Sequence, residues 1–374
     1  MTFYPLVFIV ALLHAYVGLR LGPDVTAPWG WVLGAGLVLS TVLMPLGLVG
    51  SRVARQPWAD RLSWVGLLLM GLFSSLLVLT ALRDVLLLAA WGAAALGLDL
   101  PMTSLRSLTA EATLLLSIAA TALGFLNARR TPAVVRIDVP IAGLPAELHG
   151  FTLAQISDIH VGPTIKRGFL QRIVAKVNTL GADVVAITGD LVDGKVAELA
   201  RHVAPLAGLQ SRHGTFFVTG NHEYYSGAHA WIAELRRLGL TVLMNEHVVL
   251  DGALVLAGVA DYSAHHFDPT HRSDPAQALH GAPPAALVRV LLAHQPRSAQ
   301  AAADAGFDLQ LSGHTHGGQF WPWNLFVPLQ QPFTAGLNRL QKLWVYTSRG
   351  TGYWGPPKRF GAPSEITALR LVAA

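Results

Sequence analysis

The chain has 374 residues, of which 52% are hydrophobic and only 13% charged. Soluble domains carry roughly 25% charged residues, so a wholly soluble enzyme, a disordered chain and a collagen-like chain are all disfavoured. The formal charge of +5 is small for this length and calls for no nucleic-acid partner. The absence of cysteine excludes disulfides, zinc–thiolate sites, iron–sulfur clusters and cysteine nucleophiles.

The composition divides the chain. Residues 1–130 hold eight Lys/Arg, five Asp/Glu and a single histidine, His14. The other 244 residues hold 19 Lys/Arg, 17 Asp/Glu and 14 histidines. The division falls at Arg129-Arg130-Thr131-Pro132, where the proline ends a helix. An all-α transmembrane domain over 1–130 and a globular domain over 131–374 are expected.

Four apolar stretches in the first part are long enough for a bilayer core, which needs ~20 helical residues. They are 3–21, 30–50, 62–82 and 108–126. The first reads as a span and not as a signal peptide, because no Lys/Arg precedes it and no clear small-residue cleavage site follows. Arg83-Asp84 follows the third span without a turn residue, so 85–98 is read as a helical extension of that span at the interface. Trp29, Trp31, Trp58 and Trp64 stand near span ends, where interfacial anchors belong. Arg52, Arg55 and Arg61 follow the second span, and Arg129, Arg130 and Arg136 follow the fourth. The positive-inside rule makes these the cytoplasmic loops, which places both termini and the globular domain in the cytoplasm. His14 is expected to be a polar residue inside the bundle. The excess of arginine over lysine, with high alanine, suggests a GC-rich bacterium.

The second part alternates short apolar runs with helical patterns, which predicts a layered α/β core. Strands are expected at 134–139, 151–156, 183–188, 215–219, 248–250, 254–259, 287–293, 309–311, 344–347 and 365–370. Helices are expected at 167–178, 196–209, 228–238 and 295–305, and the Ala/His/Pro/Asp-rich stretch Tyr262–Pro284 reads as a loop insertion.

Five polar clusters fall at the carboxyl ends of these strands, where open α/β sheets place ligands. Asp158-Ile159-His160 puts a carboxylate and an imidazole on one face of an extended end. Gly189-Asp190 turns sharply after an apolar run. Gly220-Asn221-His222-Glu223 offers a neutral oxygen ligand and a proton donor, though Asn221 also suits a helix N-cap. His294 precedes Gln295-Pro296, and Gly313-His314-Thr315-His316 repeats the same-face spacing with two imidazoles. The set of N and O donors suits Mn²⁺, Fe²⁺, Zn²⁺ or Mg²⁺ better than a soft metal. Seven ligands exceed one tetrahedral ion and suit two ions that share a bridge, a recurring device in phosphoryl transfer.

In this order the clusters resemble the calcineurin-like metallophosphoesterases. Gly313–Gln319 and Tyr346–Gly352 look like the membrane-associated YkuE/YaeI-type subgroup, and the four-span front resembles transmembrane proteins with a metallophosphoesterase domain. The resemblance covers the chain from about Val134 onward. Ser364, in place of a second proline, and the long 262–284 loop depart from the pattern without touching a ligand. The resemblance implies a four-layer αββα sandwich and a phosphodiesterase-type, metal-dependent hydrolase. It implies that Asp158, His160 and His316 hold one ion, that Asn221, His294 and His314 hold a second, and that Asp190 bridges them. Catalysis would rest on Asp190 and on His222, which would stabilise the transition state or protonate the leaving oxygen. Asp193 and Glu223 would orient ligating imidazoles. Manganese is the first expectation for the two ions, with iron or zinc behind it.

The membrane front points to a substrate in or near the bilayer, and the resemblance implies lipid-linked pyrophosphates of the UDP-2,3-diacylglucosamine class used in lipid A synthesis. Lys166, Arg167, Arg349, Lys358 and Arg359 are the cations available for a phosphate or head group. The aromatic run Phe320–Phe326 and Tyr353-Trp354 would line an acyl groove, although a packed core flap is the favoured expectation for them. The competing functions are a tethered phosphoprotein phosphatase and a catalytically silent membrane sensor.

Overall fold

The computed structural model describes residues 3–283 and 287–374. Two compact units emerge: Met1–Leu126 with Gly355–Phe360, and Asn127–Trp354 with Gly361–Ala374.

The first unit is built on four long helices, α1 (Phe3–Leu21), α2 (Trp29–Leu48), α4 (Trp58–Ala95) and α5 (Met102–Arg129, whose last turn belongs to the second unit), with a single turn α3 (Gly50–Val53) after α2. All four long helices have the length and apolarity of membrane spans. Their small interior packs Val17, Leu21, Leu37, Met44, Phe73 and Leu76. Larger apolar side chains face outward, among them Phe8, Leu19, Val38, Leu88 and Leu115. In water such a surface would drive aggregation, whereas in hydrocarbon it is the solvated face. His14 is buried among the helices, where its Nε2 lies 2.9 Å from Ser40 Oγ and its ring stacks on Phe73.

Helix α4 runs unbroken through Arg83-Asp84 for 38 residues, about 57 Å at 1.5 Å per residue. Neighbouring helices satisfy both charges. The buried Arg83 guanidinium donates to Asp24, to the Arg20 carbonyl (2.9 Å), to the Arg106 carbonyl (3.0 Å) and to Thr109 Oγ1 (3.0 Å). Asp84 accepts from Arg20 and from Tyr16. With its charges paired laterally, the chain needs no turn there. Gly355–Phe360 groups with the helices and not with the globular unit. Lys358 and Arg359 are both buried, and Lys358 Nζ donates to the Gly71 carbonyl at 2.8 Å and to Ser75 Oγ. These two cations are therefore not available for a phosphate, contrary to the sequence expectation.

Among the described residues, the second unit contains twelve strands. They are β1 (Ala133–Ile141), β2 (Thr152–Ile156), β3 (Val184–Thr188), β4 (Thr215–Val218), β5 (Thr241–Val242), β6 (Glu246–Leu250), β7 (Leu254–Gly258), β8 (Val288–Leu292), β9 (Leu309–Ser312), β10 (Gly336–Leu340), β11 (Leu343–Thr347) and β12 (Glu365–Ala373). They form two six-stranded sheets, ordered β1-β12-β2-β3-β4-β5 and β10-β11-β9-β8-β7-β6. Strands β2, β3, β4 and β5 run parallel, as do β7, β8, β9 and β11. The helices are α6 (Arg167–Asn178), α7 (Val196–Val203), α8 (Asn221–Ser226), α9 (Ala228–Arg237), α10 (Pro275–Ala278) and α11 (Ala299–Ala305).

Side-chain alternation distributes the apolar residues over three cores. Val184 and Ala186 of β3 face the second sheet, packing with Leu256, Val290 and Leu311. Val185 and Ile187 face α6 and α9, packing with Leu170, Ile173 and Trp231. On the far side, Ala257 and Leu291 pack under α10 and α11. This is the four-layer αββα sandwich. Strands buried on both faces read as continuous apolar runs, which is why β3 was plain in the sequence. Strands β5 and β10 and helices α8 and α10 were not expected. The 196–209 pattern is α-helical only to Val203, after which Pro205 lies in a 3₁₀ turn over Ala204–Gly208. The insertion contains two 3₁₀ turns and α10; Pro284, its expected last residue, lies outside the described residues.

Candidate metal centre

Every cluster singled out in the sequence follows the carboxyl end of a parallel strand. Asp158 and His160 follow β2, Asp190 follows β3, and Asn221 and His222 follow β4. The second sheet contributes His294 after β8, then His314 and His316 after β9. Asp158, His160 and His316 bring one ligand atom each within 4.8 Å of one another, and Asp190, His294 and His314 do the same. His160 Nε2 lies 3.0 Å from His316 Nε2, and His316 Nε2 lies 3.6 Å from Asp158 Oδ1. In the other group His294 Nε2 is 3.2 Å from both His314 Nδ1 and Asp190 Oδ2. Asp190 Oδ2 is also 3.8 Å from His160 Nε2, so this carboxylate stands between the two groups.

The backbone is strained where these side chains originate. Asp158, His160, Asp190, His314 and His316 have φ between 51° and 69°. Non-glycine residues held there cost about 1–3 kcal/mol each, and such strain gathers at functional sites. The left-handed turn redirects each side chain from the strand edge toward a common point. Two glycines permit the crowding. A Cβ on Gly313 would collide with Ser157 Oγ and Asp158 Oδ2, and one on Gly220 with Asp190 Oδ1.

Outer partners orient the rings. The Thr188 carbonyl can only accept, so His294 Nδ1 carries the hydrogen that spans 2.7 Å to it and Nε2 is left for the site. Asp193 Oδ1 accepts from His160 Nδ1 at 3.0 Å and from His222 Nδ1 at 2.7 Å. That leaves His222 Nε2 facing Asp190 Oδ2 at 4.0 Å. Asp190 is steered by its own contact, with Oδ1 accepting from the His222 amide at 2.9 Å.

Glu223 does something other than expected. It orients no imidazole. Its two oxygens accept from the backbone amides of Asp190 (3.0 Å), Leu191 (2.9 Å) and Gly220 (2.6 Å), tying the β3 turn to the start of α8. Asn221 likewise is not the N-cap; Gly220 holds that position. Glu223→Gln presents an amide group where amides already donate. It should lower stability by about 1–3 kcal/mol through a stranded buried N–H, and Glu223→Ala by more, read as the midpoint of denaturant unfolding.

The residues fit divalent ions. Asn221 Oδ1 is buried without a hydrogen-bond partner, which a metal bond would resolve. Adjacent ligands at ~2.1 Å from one ion sit roughly 3.0–3.4 Å apart, matching the His160–His316 and His294–His314 pairs. Burial and the neighbouring His294 drive the His314 imidazole down to about 3, keeping it in the neutral form that ligates. Burial raises the Asp190 carboxyl, but His294 beside it pulls it well below the usual range. Burial lowers the His222 imidazole, while Asp193 and Asp190 push it up to about 9.

Aromatic residues border this centre. Tyr225 and Trp354 have ring centroids 5.1 and 5.9 Å from that of His222. Both are more than half exposed, and Trp321, Trp323 and Phe326 are exposed as well. Of the aromatic residues expected to pack as a flap, Phe320 and Tyr353 are buried and the rest are partly or largely exposed. Arg349 pairs with the buried Glu365 at 2.8 Å. The place of Tyr225 at the end of α8 had no signal in the sequence beyond its distance of three from His222.

The family description matching residues 151–318 is Calcineurin-like phosphoesterase. A protein named Transmembrane protein with metallophosphoesterase domain, from Bos taurus, is 40% identical over 313 residues, covering 80% of this chain and 70% of the relative. That share of this chain exceeds the segment after residue 130, so the similarity reaches into the helical front. The Danio rerio protein of the same name is 40% identical over 262 residues, covering 67% of this chain and 60% of its own length. The chain thus spans 60–70% of these two relatives. Uncharacterized metallophosphoesterase YkuE of Bacillus subtilis is 28% identical over 246 residues, covering 61% of this chain and 81% of the relative. Among solved structures, a 5'-nucleotidase precursor from Thermus thermophilus overlays 60% of this chain and 54% of its own, at a TM-score of 0.38 and 15% identity. The sequence identity to the Bos taurus protein, over most of both chains, makes this chain a member of the calcineurin-like metallophosphoesterase family.

Proposed function

We propose that this protein is a membrane-anchored, binuclear-metal phosphoesterase that hydrolyses phosphodiesters or pyrophosphates attached to an apolar group. The observation carrying the proposal is the convergence of six His and Asp donors from four strand ends, with Asp190 between two groups; the unpartnered Asn221 Oδ1, after a fifth strand, supports a seventh. In this reading Asp158, His160 and His316 hold one ion, Asn221, His294 and His314 hold the other, and Asp190 bridges. Manganese is the ion we propose, since N/O donors suit it and no thiolate is present. Two bound divalent ions supply neutralising charge to a phosphate and acidify water near neutral pH.

The side chains then have separable duties. His222 holds a proton at Nε2, directed to the leaving oxygen, while Asp193 accepts from Nδ1 and stabilises the imidazolium. Asp193 also fixes His160. Tyr225 and Trp354 give the centre an apolar wall beside His222, which favours substrates carrying an apolar group and supports lipid-linked pyrophosphates such as UDP-2,3-diacylglucosamine.

The four long helices support a multi-pass anchor in a bacterial inner membrane. The continuity of α4 supports an even number of crossings and, with the basic loops, a cytoplasmic catalytic unit.

The test is hydrolysis by the full chain in detergent, because Gly355–Phe360 packs with the helices. A chromogenic phosphodiester, the matching monoester and a phosphopeptide are compared with Mn²⁺ and with chelator. Metal-dependent cleavage of the diester ahead of the other two is expected. Preference for the phosphopeptide would replace this reading with a tethered protein phosphatase, and no cleavage by a folded, metal-loaded chain would replace it with a sensor.

A further inference from the structure

His229, His271 and Asp268 are not part of the centre described above. His229 lies at the start of α9, while Asp268 and His271 lie in the insertion that begins at Tyr262. From the sequence that insertion reads only as a loop rich in Ala, His, Pro and Asp. Two of its histidines, His265 and His266, have ring centroids 4.0 Å apart with the rings tilted by 42°, and they join no ligand group among the described residues. His271 is different. One ligand atom from each of His229, Asp268 and His271 falls within 4.8 Å of the others. His229 Nε2 is 2.9 Å from Asp268 Oδ2, and His271 Nε2 is 4.0 Å from the same oxygen.

Two of these side chains are already braced from behind. Asp268 Oδ1 accepts from Thr270 N at 2.9 Å and from Thr270 Oγ1 at 2.6 Å, which turns Oδ2 toward the imidazoles. His271 Nδ1 lies 2.9 Å from the Tyr224 hydroxyl, which is itself 3.4 Å from Thr219 Oγ1. A chain in which His271 Nδ1–H donates to Tyr224 and Tyr224 donates to Thr219 leaves the His271 Nε2 lone pair facing Asp268. Ligand orientation by such outer partners is what separates metal sites from chance neighbours. His229 is the exposed member, so the open side of the group faces solvent.

We propose that His229, Asp268 and His271 form a third metal site, for a zinc-class transition-metal dication, with solvent completing the coordination. Two imidazoles, one carboxylate and an open position are a recurrent zinc ligand set. The ion joins α9 to the insertion. Phe267, next to Asp268, packs on Tyr225 at 5.5 Å, and Tyr225 packs on His222 at 5.1 Å. The clip therefore holds the aromatic wall of the main centre without contributing a ligand to it.

The full chain in detergent, stripped with chelator and then dialysed against Zn²⁺, tests this by the zinc bound per chain. His229→Ala and Asp268→Asn are compared with the unmodified chain. The His229 side chain is 75% exposed, so its removal leaves the fold intact. Each variant is expected to bind one zinc fewer, and a Co²⁺-loaded sample is expected to lose the visible absorption of one site. Because the readout is a difference of one ion, it holds whatever number the main centre binds. Equal zinc in variant and unmodified chains, or a loss of more than one ion, overturns the proposal.

Discussion

Asp190→Asn is expected to reduce turnover of a phosphodiester by about 10³-fold or more, since in the proposed function Asp190 is the ligand shared by both ions. The asparagine keeps an oxygen for the His222 amide, which Asp190 Oδ1 now holds at 2.9 Å, so the fold should persist. What is lost is the negative charge on Oδ2, 3.2 Å from His294 Nε2 and 3.8 Å from His160 Nε2. Bound manganese should fall in parallel, measured on the same sample as kcat. Asp193→Asn is the informative comparison. Asp193 acts through His160 and His222, so its loss should cost roughly 10–100-fold, with the metal content largely kept. Equal effects from the two substitutions would sink the assignment of Asp190 as the bridge.

Removing the metal should lower the melting temperature of the globular unit by about 10–20 °C. Each ion at 100 times its dissociation constant stabilises by about 2.7 kcal/mol, and a unit of this size shifts by ~2–4 °C per kcal/mol. The direction follows from the geometry. Without cations, Asp158 and Asp190 are buried carboxylates in one cluster, and they and their neighbours His160, His314 and His316 stay in left-handed backbone. Calorimetric melts of the full chain in detergent, with Mn²⁺ and with chelator, give the difference directly. In Asp190→Asn the gap should shrink. Identical melts with and without metal would show that the cluster is not held by ions.

Much of the centre was legible because its information is local. Asp158-Ile159-His160 and His314-Thr315-His316 each place two candidate ligands two residues apart, just after a buried strand. A buried parallel strand announces itself by a continuous apolar run, as β3 does, which reveals the end of the sheet that each polar cluster occupies. The spans were legible for the same reason, since length and apolarity are properties of one segment. Short elements were not: β5 has two residues and α8 six, too few to show a period.

The sequence alone therefore determined the layered α/β class, the apolar front and the order of the donor clusters, each carried by residues close together in the chain. Tertiary structure decided what depends on partners far away in it. Glu223 holds backbone amides because β3 and α8 start side by side. Lys358 is withdrawn from solvent because Gly71 and Ser75 accept it. Arg83-Asp84 stays helical because Asp24 and Arg20 meet its charges. His229 meets Asp268 across 39 residues. In each case a polar group is positioned by a partner that no local pattern specifies, and burial makes that pairing obligatory.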